Sequence, residues 1–263
     1  MVSAAILDAI RRLEDEEVLG AIATVVSGPD VGAKAVVEAG EGIVAGWLPE
    51  DVAADVAEDA DELAANEQNR TLEYGERKVF IDIVAPPPVL LVFGAGHIAQ
   101  PLTRMARELD FRTIVADARE SWATERRFPH VDELIVGWPD SVLDHVALDG
   151  RTYVALLSHD ERFETPVFRA VKGSPIRYIG AMGSRRTHRA RLERLAAEAW
   201  TEGELEAIHG PIGIDIGAET PAETAVSILA EMISVRYGHG TGTSLRGREG
   251  RIHTQRGDEP GTD

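Results

Sequence analysis

Apolar and polar positions divide the chain into two differently patterned halves. Residues 3–18 set Ile6, Ile10 and Leu13 on one stripe and Glu14, Asp15, Glu16 and Glu17 beyond it, which predicts a helix with one buried face. Short apolar runs follow at Ile22–Val26, Ala35–Val37 and Gly42–Trp47, separated by Gly and Pro, and these predict strands. From Pro49 to about Glu67 an acidic, alanine-rich stretch predicts a helix. Arg70–Tyr74 and Val79–Val84 predict a strand pair turning at Gly75-Glu76. Residues 1–85 therefore read as a small α+β domain, with Pro86-Pro87-Pro88 as a linker.

Beyond the prolines the pattern becomes strand–helix alternation. Val89–Phe93 is a continuous apolar run, as a strand buried on both faces requires. A helix is predicted after it to about Leu109, then a strand at Thr113–Ala116 that stops at Asp117. Leu134–Val136, Tyr153–Leu157 and Tyr178–Ile179 are further strands, and Arg185–Trp200 and Pro221–Tyr237 are long helices. The alternation predicts an α/β fold, a Rossmann-like parallel sheet over residues 89–238. Residues 239–263 lack periodicity and read as a disordered tail.

The turn Gly94-Ala95-Gly96-His97-Ile98-Ala99 joins the first apolar strand of this half to its helix. In a dinucleotide-binding unit the first glycine makes the turn. The second lets a pyrophosphate approach the backbone, and a small third residue lets helix and strand pack closely. The helix N-terminus adds amide donors for an anion. Asp117 lies 21 residues after Gly96, at the end of the second strand, where it could accept hydrogen bonds from a ribose diol. Such an acid disfavours a 2′-phosphate, and Arg119 beside it weakens that preference. His97 either touches a phosphate or is simply a surface residue at a helix start.

A second loop, His209–Pro221, precedes the last helix. Thr220, Pro221 and Glu223 form a capping signature. Capping does not explain Gly210, Pro211, Gly213, Asp215 and Gly217, a set that suits an amide-rich anion site with Asp215 accepting from a pterin or purine ring, or bracing the loop. Between the two loops, Gly183, Ser184 and Arg185 open a basic helix. Ser184 reads as its N-cap, and Arg185 suits bidentate phosphate binding or a solvated helix face. Because each turn follows a parallel strand, all three are expected to line one crevice. Ser158-His159-Asp160 has the letters of a catalytic triad, but adjacent residues cannot form its geometry.

Composition narrows the function. No cysteine is present, which excludes disulfides, thiolate metal sites and thiol nucleophiles, and the histidines have no zinc spacing. A net charge of -18 argues against nucleic acid. Lysine occurs only at positions 34, 78 and 172, and this acid-rich, lysine-poor balance suits a salt-rich cytosol or a GC-rich genome. No run of about 18 apolar residues suggests a membrane span, and the N-terminus reads as a helix start, so a cytoplasmic location is expected.

The combined motifs resemble the XdhC/CoxI family, the xanthine dehydrogenase accessory factors. The resemblance is carried by Leu91–Ile98, Val115–Arg119, Arg127-Phe128-Pro129, Tyr178–Arg186 and Ile208–Thr224. It implies a maturation chaperone that binds molybdenum cofactor (molybdopterin) and hands it to an apo molybdenum hydroxylase, acting as a homodimer. The residues it would use are Gly94, Gly96, His97, Ile98, Asp117, Arg119, Gly183, Ser184, Arg185, Gly213, Asp215 and Gly217. Many members carry a cysteine-containing segment after a strand like Gly42–Trp47; here that strand runs into Leu48-Pro49-Glu50-Asp51. The alternatives are an NAD(P)-binding oxidoreductase and a nucleotide-sensing module. The lack of a recognisable acid/base group argues against the oxidoreductase.

Overall fold

A computed structural model describes residues 3–65, 67–158, 160–238 and 240–247. The chain divides into two compact units, Met1–Pro87 and Pro88–Asp263.

The first unit is α+β. Its five-stranded antiparallel sheet comprises β1 (Gly20–Ser27), β2 (Lys34–Glu38), β3 (Gly42–Trp47), β4 (Arg70–Tyr74) and β5 (Arg77–Val84), in the order β3-β2-β1-β5-β4. Side chains alternate across a strand, so Ala21, Ala23 and Val25 of β1 share a face with Val79 and Ile81 of β5. Helix α2 (Glu50–Ala65) covers that face with Val52, Val56, Ala60 and Leu63. Helix α1 (Ala4–Asp15), capped by Ser3, packs Ile6, Ala9 and Leu13 against Val36 on the opposite face.

The second unit is a six-stranded, wholly parallel sheet. Its strands are β6 (Val89–Phe93), β7 (Arg112–Asp117), β8 (Glu133–Val136), β9 (Thr152–Leu156), β10 (Tyr178–Ala181) and β11 (Ile208–His209). The order β11-β10-β9-β6-β7-β8 puts the first strand of the unit at the centre, and the chain winds outward in both directions from it. The central strands are buried on both faces: Leu90, Leu91, Val92 and Phe93 are inaccessible. One face packs on α3 (Ala99–Arg107) and α8 (Pro221–Tyr237) through Leu102, Ala106, Ile228 and Met232. The other packs on α4 (Pro139–Leu143), α5 (Glu161–Val171) and α6 (Arg185–Ala197) through Val142, Phe163, Phe168 and Leu195.

Several boundaries differ from the sequence pattern for local reasons. Helix α3 ends at Arg107 rather than Leu109, because Asp110 takes a left-handed conformation (φ 61°) that turns the chain into β7. Helix α6 ends at Ala197 rather than Trp200. Ala199 is left-handed (φ 60°), which lets Trp200 fold back into the core against Phe168. Segment 160–171, which apolar patterning alone does not assign, is α5, a helix with Pro166 in its interior. Short helix α7 (Glu202–Glu206) and β11 also go beyond the pattern. Of the tail, residues 240–247 form bends and a 3-10 turn at Leu245–Gly247; residues 239 and 248–263, on which most of the disorder expectation falls, lie outside the described residues. Among the described residues no helix is long and apolar enough to cross a membrane.

Candidate functional site

The carboxyl ends of β6, β7, β9 and β10 open into a cleft of about 710 Å³ lined by Gly96, His97, Ile98, Arg119, Trp122, Leu157, Ser158, Asp160, Met182 and Pro221. Its position follows from the strand order: β6 and β9 are neighbours whose connections leave in opposite directions, and that divergence leaves a crevice above the sheet.

The glycine turn forms one wall. Gly94 is left-handed (φ 110°), and a Cβ there would lie 3.0 Å from the Ser158 amide nitrogen and 3.1 Å from the Leu157 carbonyl carbon, so the turn passes tightly over the end of β9. Gly96 is different: a Cβ built on it meets nothing within 4 Å. Its missing side chain leaves open space above the backbone, the property a close-approaching anion requires. The amides of Gly96, His97 and Ile98 donate to no acceptor among the described residues. They sit immediately before α3, where the helix dipole adds partial positive charge.

Asp117 holds this turn from behind. Its side chain is 0 % exposed. It accepts hydrogen bonds from the amide of Ala95 (2.8 Å), the amide of Arg119 (2.9 Å), and Nε (2.9 Å) and Nη2 (2.6 Å) of Arg119. Burial pushes its pKa up, but the hydrogen bonds from Arg119 and Ala95 outweigh burial and leave it below the ordinary carboxylate value. The sequence expectation is that Asp117 accepts hydrogen bonds from a ribose; in this structure its acceptors are taken by the chain's own donors. Its oxygens face inward and are fully used, so in this structure it braces the turn. The group that reaches the cleft from β7 is Arg119.

An aromatic post organises that side of the cleft. Trp122 carries the guanidinium of Arg119 at 4.6 Å and that of Arg127 at 4.8 Å from its ring centroid, and His97 meets it edge-on at 5.6 Å. Arg127 also donates to the carbonyls of Ala95 (2.8 Å) and Trp122 (2.7 Å), tying turn and post together. Thus His97 is exposed at the helix start and also lines the cleft.

The expectation that all three loops line one crevice holds only at their ends. From the β10 turn the lining residue is Met182. Gly183 (φ 147°) packs on Thr187, Ser184 caps α6 by accepting from the Thr187 amide (3.1 Å), and Arg185 is exposed. From the last loop the lining residue is Pro221. Gly213 packs on Ser227 of α8, while Asp215 accepts from the Gly217 amide (3.3 Å) at an exposed position. The capping signature forms as expected: Thr220 accepts from the Glu223 amide and Glu223 from the Thr220 amide. His159 lies outside the described residues; beside it Ser158 Oγ accepts from the Asp160 amide (3.2 Å). No group of three or more His, Asp or Glu that could hold a metal ion occurs among the described residues.

Two buried networks set the loops. Arg191, with a side chain 1 % exposed, pairs with Glu164 through Nε (3.0 Å) and Nη2 (2.6 Å) and donates to the Met182 carbonyl (2.9 Å), fixing the β10 turn. Glu231 of α8 accepts from the Tyr178 hydroxyl (2.5 Å) and the Gly213 amide (2.8 Å), and lies 3.4 Å from Nδ1 of His209. Burial raises the Glu231 pKa, but hydrogen bonds from His209, Tyr178 and Gly213 outweigh it and leave the group below its usual range. A depressed carboxyl pKa stabilises the fold above the unfolded value of about 4.3, and that contribution is lost as the pH falls through the lower folded value. Glu231→Gln is therefore expected to cost about 1.5 kcal/mol at pH 7, the scale of a hydrogen bond to a charged group. Chemical denaturation of both proteins at pH 7 and at pH 3.5 checks this. The gap begins to narrow as the pH falls below the unfolded value and continues to narrow toward the lower folded value.

A family model describing the XdhC Rossmann domain matches residues 90–232, more than half of the chain. The chain belongs to the XdhC family. The matched residues of this XdhC chain run from the start of β6 into α8, so the cleft lies within them. It is 31% identical over 158 residues to a probable xanthine dehydrogenase subunit from Bacillus subtilis, covering 60% of this chain and 46% of the relative. It is 29% identical over 228 residues to the molybdenum cofactor insertion chaperone PaoD of Escherichia coli, covering 70% and 72%. The XdhC chain thus spans less than half the length of the Bacillus subtilis relative. A crystal structure described as a xanthine dehydrogenase from Bacillus halodurans superposes with a TM-score of 0.54 at 17% identity, over 92% of this chain and 98% of the other, which shows a shared fold.

Trp122, Asp160 and Met182 go beyond the site residues singled out in the XdhC sequence. A local signal was available for one of them. Asp160-Glu161-Arg162 repeats the spacing of Asp117-Ala118-Arg119, and in both the Asp accepts from the backbone and side chain of the Arg two residues on. Trp122 and Met182 carry no spacing signal; only the folded strand ends bring them together.

Proposed function

We propose that this XdhC-family chain binds molybdenum cofactor in the cleft and hands it to an apo molybdenum hydroxylase of the xanthine dehydrogenase type, without turnover chemistry of its own. The observation that carries this reading is the Gly96–Ile98 turn, with three amides lacking an acceptor among the described residues and open space where a Gly96 side chain would stand. Such a turn fits a phosphate, the anionic group of molybdopterin. The names of two relatives, one a molybdenum cofactor insertion chaperone and the other a probable component of xanthine dehydrogenase, support the choice of ligand and client.

When bound, the cofactor would bring the molybdenum centre needed by the client enzyme. The chain's own part is to hold and shield it. The amides of Gly96, His97 and Ile98 hold the phosphate, Arg119 supplies a guanidinium, and Trp122, Leu157 and Met182 give apolar surface to a flat ring. Gly94 and Asp117 serve by shaping the turn. Gly183, Ser184, Arg185, Gly213, Asp215 and Gly217 set the neighbouring loops rather than the lining. A homodimer and a cytoplasmic, salt-rich setting belong to the same proposal.

Protein purified from a host that makes the cofactor is expected to retain a pterin detectable by mass spectrometry after denaturation. Titration with NAD⁺ tests the oxidoreductase alternative. Saturable NAD⁺ binding with hydride transfer, and no retained pterin, would replace the chaperone reading.

A further inference from the structure

We propose that Arg119 is a specificity-determining residue of the cleft, selecting ligands that place a phosphate at the carboxyl end of β7 over ligands that offer a neutral ribose there. The proposal rests on the reading that the cleft holds a cofactor.

In dinucleotide-binding sheets an acid at the end of the second strand receives the ribose hydroxyls, and a cation there accommodates a phosphate. Sequence position gives this chain the acid, Asp117. The folded chain presents the cation instead. The Asp117 carboxylate is 0 % exposed and accepts four hydrogen bonds, so binding a ribose would break the brace under the glycine turn. The Arg119 side chain is 53 % exposed and lines the cleft. Its Nε and Nη2 are held by Asp117 and its Cζ lies 4.6 Å from the Trp122 ring centroid, while Nη1 has no hydrogen-bond partner among the described residues. A guanidinium clamped on one edge and held against an aromatic ring has little freedom left to lose on binding. Its outer edge offers N–H donors to a planar or tetrahedral oxyanion.

The other acid of the lining does not reverse this. Asp160 accepts hydrogen bonds from the amide, Nε and Nη2 of Arg162, and its remaining influence on Arg119 is through charge alone, without a hydrogen bond. Both carboxylates at the strand ends are thus matched by an arginine two residues along. The amides of the Gly96 turn supply a second set of donors in the same cleft. The cleft wall donates hydrogen bonds at both places, and a ligand carrying phosphate satisfies such a wall better than its dephosphorylated counterpart.

Ligand pairs that differ by one phosphate test the proposal: NADP⁺ against NAD⁺, and CMP against cytidine, by calorimetry with the full chain, with inorganic phosphate as a third arm. Wild-type protein is expected to bind the phosphorylated member of at least one pair tenfold or more tighter. A preference confined to NADP⁺ points to a 2′-phosphate and one confined to CMP to a 5′-phosphate, while comparable binding of inorganic phosphate points to phosphate alone. Arg119→Ala is expected to reduce the ratio below threefold, and Arg119→Lys, which keeps the charge beside Asp117, to retain part of it. The wild-type ratio stands without any variant. Equal affinity within each pair, or no binding of any phosphorylated probe, overturns the proposal. Pterin retention is read separately, so the cofactor reading stands or falls on its own result.

Discussion

Glu164→Ala is expected to destabilise the Rossmann unit by about 3–5 kcal/mol, the cost of leaving a buried charge without its partner. Arg191, 1 % exposed, relies on Glu164 for two of its hydrogen bonds, and Arg194 adds a third contact to the same carboxylate at 3.2 Å. Removing the acid strands the Arg191 guanidinium far from water, whereas Arg194 keeps Glu161 at 3.5 Å. The damage extends to the cleft, because Arg191 also holds the Met182 carbonyl and Met182 is part of the lining. Urea denaturation measures the loss. The double variant Glu164→Ala/Arg191→Met is expected to recover part of it, since an apolar replacement no longer buries an unpaired charge.

Gly96→Asp is expected to abolish cofactor retention, weakening binding at least 100-fold, while changing stability by less than about 1 kcal/mol, within the range of ordinary surface substitutions. The two effects separate because of the local geometry. The backbone of Gly96 is not in the left-handed region and its Cβ position is empty, so a side chain fits without strain. That same space is where an anion would meet the three open amides, and a carboxylate placed there repels and displaces it. Gly94→Ala makes a useful contrast. It introduces a Cβ 3.0 Å from the Ser158 amide at a φ of 110°, and so is expected to lower thermal stability directly.

The Rossmann unit was legible because its signals are local. The unbroken apolar run Val89–Phe93, the glycine turn and the acid that ends β7 lie close together in sequence, and each has a physical reason to occur there. The capping signature at Thr220–Glu223 is local too, and it forms as its residue types dictate. Helix α5 was hidden by Pro166 and by the polar letters that open it, although Asp160 is a good N-cap, accepting from the Arg162 amide. The parts of the site that sequence could not supply depend on partners far apart. Glu164 and Arg191 are 27 positions apart, and Glu231 and Tyr178 are 53. Asp117 shows how position in the chain and side-chain direction are separate questions. It ends the strand, and its side chain faces inward, where Ala95 and Arg119 offer it four donors. The Asp-x-Arg spacing recorded that alternative in three letters.

Molybdenum cofactor is proposed to sit in the cleft walled by the Gly96–Ile98 turn. The most direct measurement is the amount of pterin retained per chain by wild-type protein and by Gly96→Asp, purified side by side from a cofactor-producing host. The prediction is pterin approaching one per chain in the wild type and next to none in the variant, with matching unfolding curves once both are free of pterin. Equal pterin in both, or none in either, would contradict it.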